Sequence, residues 1–205
     1  MDRLLLLCSA CAIGCDDDAT QATPRRDAEV QLPAVDAGTP AAMDASAPVL
    51  DASSVKYVSL VDMENWRRYD AAVDPLKSHQ PAEIECPDSA TYLEYGAYEV
   101  DTTRCNYALS YTPAMLAVPA GTPLRVSLLH YDLIAPQPAE AHIAVLFGDS
   151  LQWEQTIPIP ARGNGVDATF VSTVPLAFQD PIRLHLHNHG GNTYLLVSLE
   201  APETP

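Results

Sequence analysis

From about residue 55 onward, the chain alternates short runs of aliphatic, β-branched and aromatic residues with proline, glycine and aspartate. Runs spaced by roughly 10 to 15 residues, with turn residues between them, are typical of antiparallel sandwiches and barrels. We therefore predict an all-β domain over residues 55–205, an antiparallel β-sandwich of jelly-roll type. Its clearest predicted strands are Val55–Val61, Leu124–Tyr131, Ala141–Phe147, Leu151–Ile157, Ala168–Val174, Ile182–Asn188 and Thr193–Leu199.

Polar and apolar residues alternate most regularly near the C-terminus. From Ile182 to Leu186 every second residue is aliphatic, whereas Arg183, His185 and His187 take the other positions. Because successive side chains of a strand point to opposite faces, this pattern predicts a sheet with one core face and one water-facing face. One short helix is predicted around 62–69, and the clearest turns are predicted at 119–123, 162–165 and 189–192.

The N-terminus has the pattern of an export signal. The apolar run Leu4–Ile13 follows a single cation and is too short for a membrane-spanning helix, which needs about 20 residues. It ends in Ala12-Ile13-Gly14-Cys15, followed by three aspartates, and so resembles the bacterial lipoprotein signal. The resemblance implies removal of residues 1–14 and lipidation of Cys15, with Cys11 as a rival site. The alternatives are an ordinary signal peptide or the start of a buried helix.

The composition of residues 15–54 predicts a disordered linker between the lipid and the domain. The segment is rich in Ala, Asp, Thr, Pro and Ser, has no aromatic residue and shows no helical spacing of apolar residues. It cannot bury enough apolar surface to offset the entropy lost on ordering. The expected location is therefore the cell envelope, at the outer membrane or cell surface rather than the inner membrane, with the membrane as a partner through the lipid anchor.

Charge excludes one class of partner. The chain has 11 basic and 27 acidic residues, for a formal net charge of −16. Nucleic-acid binding depends on Lys and Arg that neutralise phosphates, so we expect no nucleic-acid partner.

The cysteines that remain after cleavage are Cys15, Cys86 and Cys105. If Cys15 is lipidated, the other two are expected to form a disulfide in an oxidising compartment. Two free buried thiols are the alternative, and the absence of a CxxC pair disfavours metal ligation by cysteine.

The last two predicted strands, with Asp180-Pro181-Ile182-Arg183 and then Gly190-Gly191-Asn192-Thr193-Tyr194, look like those of galactose-binding-like jelly rolls. Many carbohydrate-binding modules use that fold, and the resemblance implies a glycan or another envelope component, such as an envelope protein, as ligand. Seven aromatic residues could stack on a sugar ring: Trp66, Trp153, Tyr92, Tyr95, Tyr98, Tyr107 and Tyr111. Of these, Trp66, Trp153, Tyr95 and Tyr98 are the candidate ligand-binding residues, and the alternative is that the aromatic residues fill the core.

Three histidines near the C-terminus suggest metal binding as a second possible function. His185, His187 and His189 share one face of a predicted strand and could bind zinc or copper, with Asp132 or Glu140 completing the shell. The alternative is that His185 and His187 are polar residues of a water-facing surface and His189 belongs to a turn; on balance no cofactor is expected. His130 shares a face with Leu124 and Val126 and is expected to be a hydrogen-bonded core residue.

No motif for catalysis is present: the sequence has no GxSxG, HExxH, P-loop or GxGxxG pattern. We therefore predict a non-catalytic, lipid-anchored envelope protein that presents a binding domain. Metal binding through the histidine strand is the alternative function, and an enzyme is the third.

We expect Cys15→Ser to release the protein into the soluble fraction while the domain stays folded, because acyl chains on Cys15 would provide the anchor. Membrane fractionation and intact mass measure this. Retention of Met1 or an unmodified Cys15 would contradict the prediction, and an acyl mass on Cys11 would move the site.

Overall fold

The computed structural model describes residues 55–203 of the chain. The predicted signal peptide, Cys15 and the linker lie outside the described residues and stay predictions. Within the described part, none of the helical segments has the length and apolar character needed to cross a bilayer.

Two antiparallel sheets form a β-sandwich, which confirms the predicted fold class. The strands are β1 (Tyr57–Ser59), β2 (Arg67–Arg68), β3 (Thr91–Glu94), β4 (Ala97–Asp101), β5 (Tyr107–Pro113), β6 (Pro123–His130), β7 (Ala139–Phe147), β8 (Ser150–Ile159), β9 (Asn164–Val171), β10 (Pro181–His187) and β11 (Thr193–Pro202). The first sheet has the order β3-β4-β11-β6-β9, with β1 also paired to β11, and the second has the order β2-β5-β10-β7-β8. Their facing side chains form one apolar core.

Strands are present in all seven regions predicted from hydrophobic runs, with one clear shift. The predicted strand Ala168–Val174 is β9, which begins at Asn164 because Asn164 already pairs with His130 of β6. The predicted turn at 162–165 therefore lies partly inside a strand. The sequence pattern missed β2 to β5, of which β5 is an interior strand of the second sheet.

The predicted helix over 62–69 is wrong. Only Met63–Asn65 forms a single 3₁₀ turn, whose start is capped by the Asp62 carboxylate accepting a hydrogen bond from the Glu64 N–H at 3.0 Å. The chain then extends, buries Trp66 in the core and pairs as β2 with β5. Pairing with the sheet and burial of the indole replace the local helical bonds.

Residues 70–80, which we call the strap, lie across the outer face of the second sheet. The strap contains the 3₁₀ turns Ala71–Val73 and Lys77–His79. Two further 3₁₀ turns lie outside it: Met63–Asn65 before the strap and Asp88–Ala90 after it. Asp70 caps the first of its turns by accepting from the Ala72 N–H at 2.9 Å. Gln80 closes the strap by donating to the Ala71 carbonyl at 3.1 Å.

The strap corrects the prediction of a water-facing surface on β10. The faces alternate as predicted, but His185 is fully buried because Asp74 of the strap lies against it. Arg183 and His187, on the same face, are half-buried rather than exposed.

The predicted disulfide between Cys86 and Cys105 is confirmed. It ties the segment after the strap to the residues just before β5. Arg68 of β2 donates a hydrogen bond to the Cys86 carbonyl at 2.8 Å, which adds a second connection from this segment to the sheet.

Replacing both cysteines with alanine should lower the free energy of unfolding by about 2 to 5 kcal/mol, the usual loss for a native bridge in a small secreted domain. Urea unfolding of the oxidised wild type and the double variant measures the difference. Labelling of both thiols by maleimide in denatured, non-reduced wild type would contradict the bond.

Candidate functional site

Two of the four aromatic residues considered for ligand stacking belong to the core. Trp66 is 5% exposed and Tyr98 is 4% exposed, and their rings stack with centroids 5.3 Å apart. The Tyr98 hydroxyl shares a 2.7 Å hydrogen bond with Ser110. Neither ring is available to a ligand, because each fills the space between the sheets.

The other two candidates, Trp153 and Tyr95, lie apart from each other and do not form a common surface. Trp153 is partly buried and packs against the core from β8. Tyr95 is 95% exposed at the turn between β3 and β4, where its φ of 50° places it in the left-handed region. The structure therefore leaves Tyr95 as the one member of this set that stands free in solvent.

Another aromatic pair lies on the outer face of the second sheet, with Tyr69 exposed and Tyr111 half-buried. Tyr69 and Tyr111 meet edge to face with ring centroids 5.1 Å apart, and Tyr69 is 39% exposed. The Arg183 guanidinium lies 5.3 Å from the Tyr69 ring centroid. Beside Tyr111 is a cleft of about 340 Å³ lined by Asn65, Arg67, Tyr111, Pro113, Gln179 and Pro181. We call this cleft, together with Tyr69, the tyrosine cleft.

Cross-strand register builds the tyrosine cleft. Arg67 of β2 is the register partner of Tyr111 in β5, and Tyr111 is that of Arg183 in β10. Arg67 is held in place by donating to the carbonyls of Glu64 and Trp66, each at 2.8 Å. The sequence named Tyr111 among the aromatic residues that could stack on a sugar, but it placed Tyr69 in a helix, and β2 is too short to give an alternating pattern.

Five imidazoles form the second notable group, which we call the histidine cluster. It consists of His79 from the strap, His142 from β7, His185 and His187 from β10, and His189 from the following turn. His142 and His187 are direct register partners on neighbouring strands. The rings of His142 and His185 have centroids 5.1 Å apart, and the rings of His187 and His189 have centroids 4.3 Å apart.

A buried carboxylate holds one end of the histidine cluster. Asp74 Oδ2 lies 2.7 Å from His185 Nδ1 and accepts a 2.6 Å hydrogen bond from the Tyr107 hydroxyl. Burial alone would raise the pKa of Asp74, but the bonds from His185, Tyr107 and the Leu76 N–H outweigh it and hold the pKa below its ordinary value. The same arrangement, with burial first, raises the pKa of Tyr107. Asp74 is therefore ionised, and its partner nitrogen on His185 bears the hydrogen.

Burial disfavours the charged form of two other rings of the histidine cluster, His79 and His187. Burial, reinforced by the neighbouring imidazoles, lowers the pKa of His187 to about 4, and burial also lowers that of His79. His142 Nε2 lies 2.9 Å from a carboxylate oxygen of Glu154. The His79 ring stacks on His142 with centroids 3.9 Å apart.

The histidine cluster opens into a groove of about 990 Å³ between the strap and the strands β7 and β8. Residues that line it include Ser78, Gln137, Glu140, Thr156 and prolines 136, 138 and 158. Glu140 thus faces the groove, whereas Asp132, the other carboxylate considered for a metal shell, accepts a hydrogen bond from the Gly163 N–H at 2.7 Å. Across residues 55–203, no three His, Cys, Asp or Glu side chains are already arranged around one point as metal ligands.

The structure thus brings the three sequence-predicted histidines into a larger group. Sequence reasoning missed Asp74 and His79, since the strap has no periodic pattern that would place it on a sheet, and it left His142 as an isolated residue on another strand. His130 is 3% exposed and its Nδ1 lies 2.9 Å from the Tyr131 carbonyl, which confirms it as a hydrogen-bonded core residue.

Comparisons with known proteins give structural similarity alone. No protein family model matches the chain, and no curated protein sequence matches it. Similar solved structures include a CBM4 structure, 12% identical over 69% of this chain and 97% of that one, with a TM-score of 0.40. Another is the C-terminal CBM6 of the laminarinase LamC from Zobellia galactanivorans, 10% identical over 72% and 100%, with a TM-score of 0.39. A third is the Agl-KA catalytic domain, 14% identical over 74% and 28%, with a TM-score of 0.42.

We expect Asp74→Asn to lower the free energy of unfolding by about 2 to 4 kcal/mol. The Tyr107 hydroxyl and His185 Nδ1 both donate to the same carboxylate oxygen of Asp74, and an asparagine removes the negative charge that these donors pair with. Chemical unfolding at pH 7 measures the loss. Because the pKa of Asp74 is lowered in the folded state, this contribution is present above pH 3.8 and lost as the pH falls further.

Asp70→Asn is the matched control, since Asp70 lies on the same strap and asparagine caps a helical turn about as well as aspartate. It should change stability by less than about 0.5 kcal/mol. Equal losses in the two variants would contradict the role assigned to Asp74.

Proposed function

We propose that this chain is a non-catalytic, lipid-anchored protein of the cell envelope whose β-sandwich binds a saccharide at the tyrosine cleft. The anchor and the linker rest on the signal that ends at Cys15 and on the composition of residues 15–54. The disulfide agrees with this location, because such bonds persist in oxidising compartments.

The observation that supports the saccharide is the pair Tyr69 and Tyr111 beside planar polar side chains. A sugar ring presents an apolar C–H face that packs on an aromatic ring and hydroxyls that pair with amides and guanidinium groups. The tyrosine cleft has both, since Tyr111 lines it together with Asn65, Arg67 and Gln179.

The arginines at the tyrosine cleft favour a negatively charged saccharide. Although the chain has a formal net charge of −16, Arg67 and Arg183 flank the two tyrosines. Arg183 is paired with Asp149, whereas Arg67 is exposed at the cleft. A carboxylate on the sugar would pair with Arg67, so we expect uronic-acid oligosaccharides to bind more tightly than neutral ones.

The test uses the full chain and a panel of neutral and uronic-acid oligosaccharides, with affinities measured by calorimetry. Tyr111→Ala should weaken binding of the best ligand about 10-fold, the effect of losing a contact of about 1.4 kcal/mol. Arg67→Gln should remove the preference for uronic acids over neutral sugars.

Tyr95→Ala is the matched control, because Tyr95 is an exposed tyrosine at the turn between β3 and β4 and away from the tyrosine cleft. Its affinities should equal those of the wild type. Loss of binding in Tyr95→Ala with none in Tyr111→Ala would assign the site to that turn. Absence of binding to every sugar in the panel would reject the proposed function.

A further inference from the structure

Three imidazoles of the histidine cluster each have a buried ring nitrogen without a hydrogen-bond partner. These atoms are His142 Nδ1, His185 Nε2 and His187 Nε2. Leaving a buried polar atom unpaired costs about 1 to 3 kcal/mol, and such atoms are rare in folded proteins. Other unpartnered atoms, such as Trp66 Nε1 and Thr112 Oγ1, are also present in residues 55–203, but these three are all imidazole nitrogens on the adjacent strands β7 and β10, which points to a shared ligand.

The protonation of these rings suits metal coordination. Asp74 fixes the hydrogen of His185 on Nδ1, so that Nε2 presents a lone pair. Histidines that bind metals almost always donate their second ring N–H to a carboxylate, a backbone carbonyl or water, and Asp74 is such a partner. His142 has a comparable partner, because its Nε2 lies 2.9 Å from Glu154 and its Nδ1 is the unpartnered atom.

The spacing of the rings also suits a metal ion. Nitrogen ligands lie about 2.0 to 2.1 Å from zinc, which puts the centroids of two rings in a tetrahedral site about 5 Å apart. The centroids of His142 and His185 are 5.1 Å apart, and those of His79 and His185 are 5.7 Å apart. His79 and His142, stacked at 3.9 Å, are too close to ligate the same ion as they stand.

We infer that the histidine cluster binds one divalent transition-metal ion through His142, His185 and His187. Imidazole is a favoured ligand of copper(II) and zinc(II), and the order of affinities puts copper(II) first. Thiolate ligands are absent from this part of the chain, because Cys86 and Cys105 are bonded to each other.

Side-chain rotation is the change that the site needs. Since the three ligands do not yet surround one point, binding has to turn the half-buried His187 toward the two buried rings. The fourth position faces the groove, where His79, His189 and water are available. His185 is the fixed member, because Asp74 pairs with its Nδ1 and the Tyr107 ring packs edge to face against its ring.

The experiment uses the full chain without a polyhistidine tag, stripped with EDTA and titrated with copper(II) or zinc(II) chloride in calorimetry with a competing chelator. We expect one ion per chain, with copper(II) bound more tightly. His187→Ala and His142→Gln should each weaken binding by at least about 10-fold. Asp74→Asn should weaken it by about 10- to 100-fold through the orientation of His185.

His130→Gln is the matched control, since His130 is a buried histidine outside the cluster, and it should bind as the wild type does. Nitrogen hyperfine splitting in the electron paramagnetic resonance spectrum of the copper-loaded wild type gives a readout that does not depend on the folding of any variant. It should show at least three nitrogen ligands.

The inference is overturned if no ion binds below about 100 μM, if fewer than three nitrogens are coupled to copper, or if His130→Gln and His187→Ala bind equally. Binding of saccharides at the tyrosine cleft is independent of these outcomes, because none of the substituted residues lines that cleft.

Discussion

The buried carboxylate of Asp74 determines how the second sheet is used. An ionised carboxylate in a protein interior is stable only when its oxygens are paired, and Asp74 accepts hydrogen bonds from Tyr107 and the Leu76 N–H and pairs with His185. Tyr107 and His185 belong to neighbouring strands of the sheet, whereas Asp74 and Leu76 belong to the strap. The strap is therefore fixed to a sheet face that would otherwise contact water.

Covering this face creates two separate surfaces along one strand. Arg183, near the start of β10, lies beside Tyr69 of the tyrosine cleft, and His185 and His187, near its end, belong to the histidine cluster. The first surface combines aromatic rings with a positive charge, and the second combines imidazoles with carboxylates. The two surfaces thus favour different ligands, a saccharide and a metal cation, on the same sheet of one domain.

Much of the fold could be predicted from the sequence because it depends on local alternation. The strands β6 to β8, β10 and β11 coincide with apolar or alternating runs in the sequence. The core face of β10 follows from the positions of Ile182, Leu184 and Leu186. The short strands β2 to β4 were missed, since two to five residues are too few to show a period, and the helix predicted around Trp66 gave way to sheet pairing.

The all-β sandwich, the Cys86–Cys105 bridge and the shared face of His185 and His187 could be predicted from the sequence alone. The contacts of that face depend on how distant segments pack against each other. Asp74 is 111 residues away from His185 in sequence, so their contact arises from packing rather than from any local pattern. For the same reason Trp66 and Tyr98, which look like ligand-binding aromatics in the sequence, are core residues, while the exposed Tyr69 and the half-buried Tyr111 lie on the outer face of the sheet.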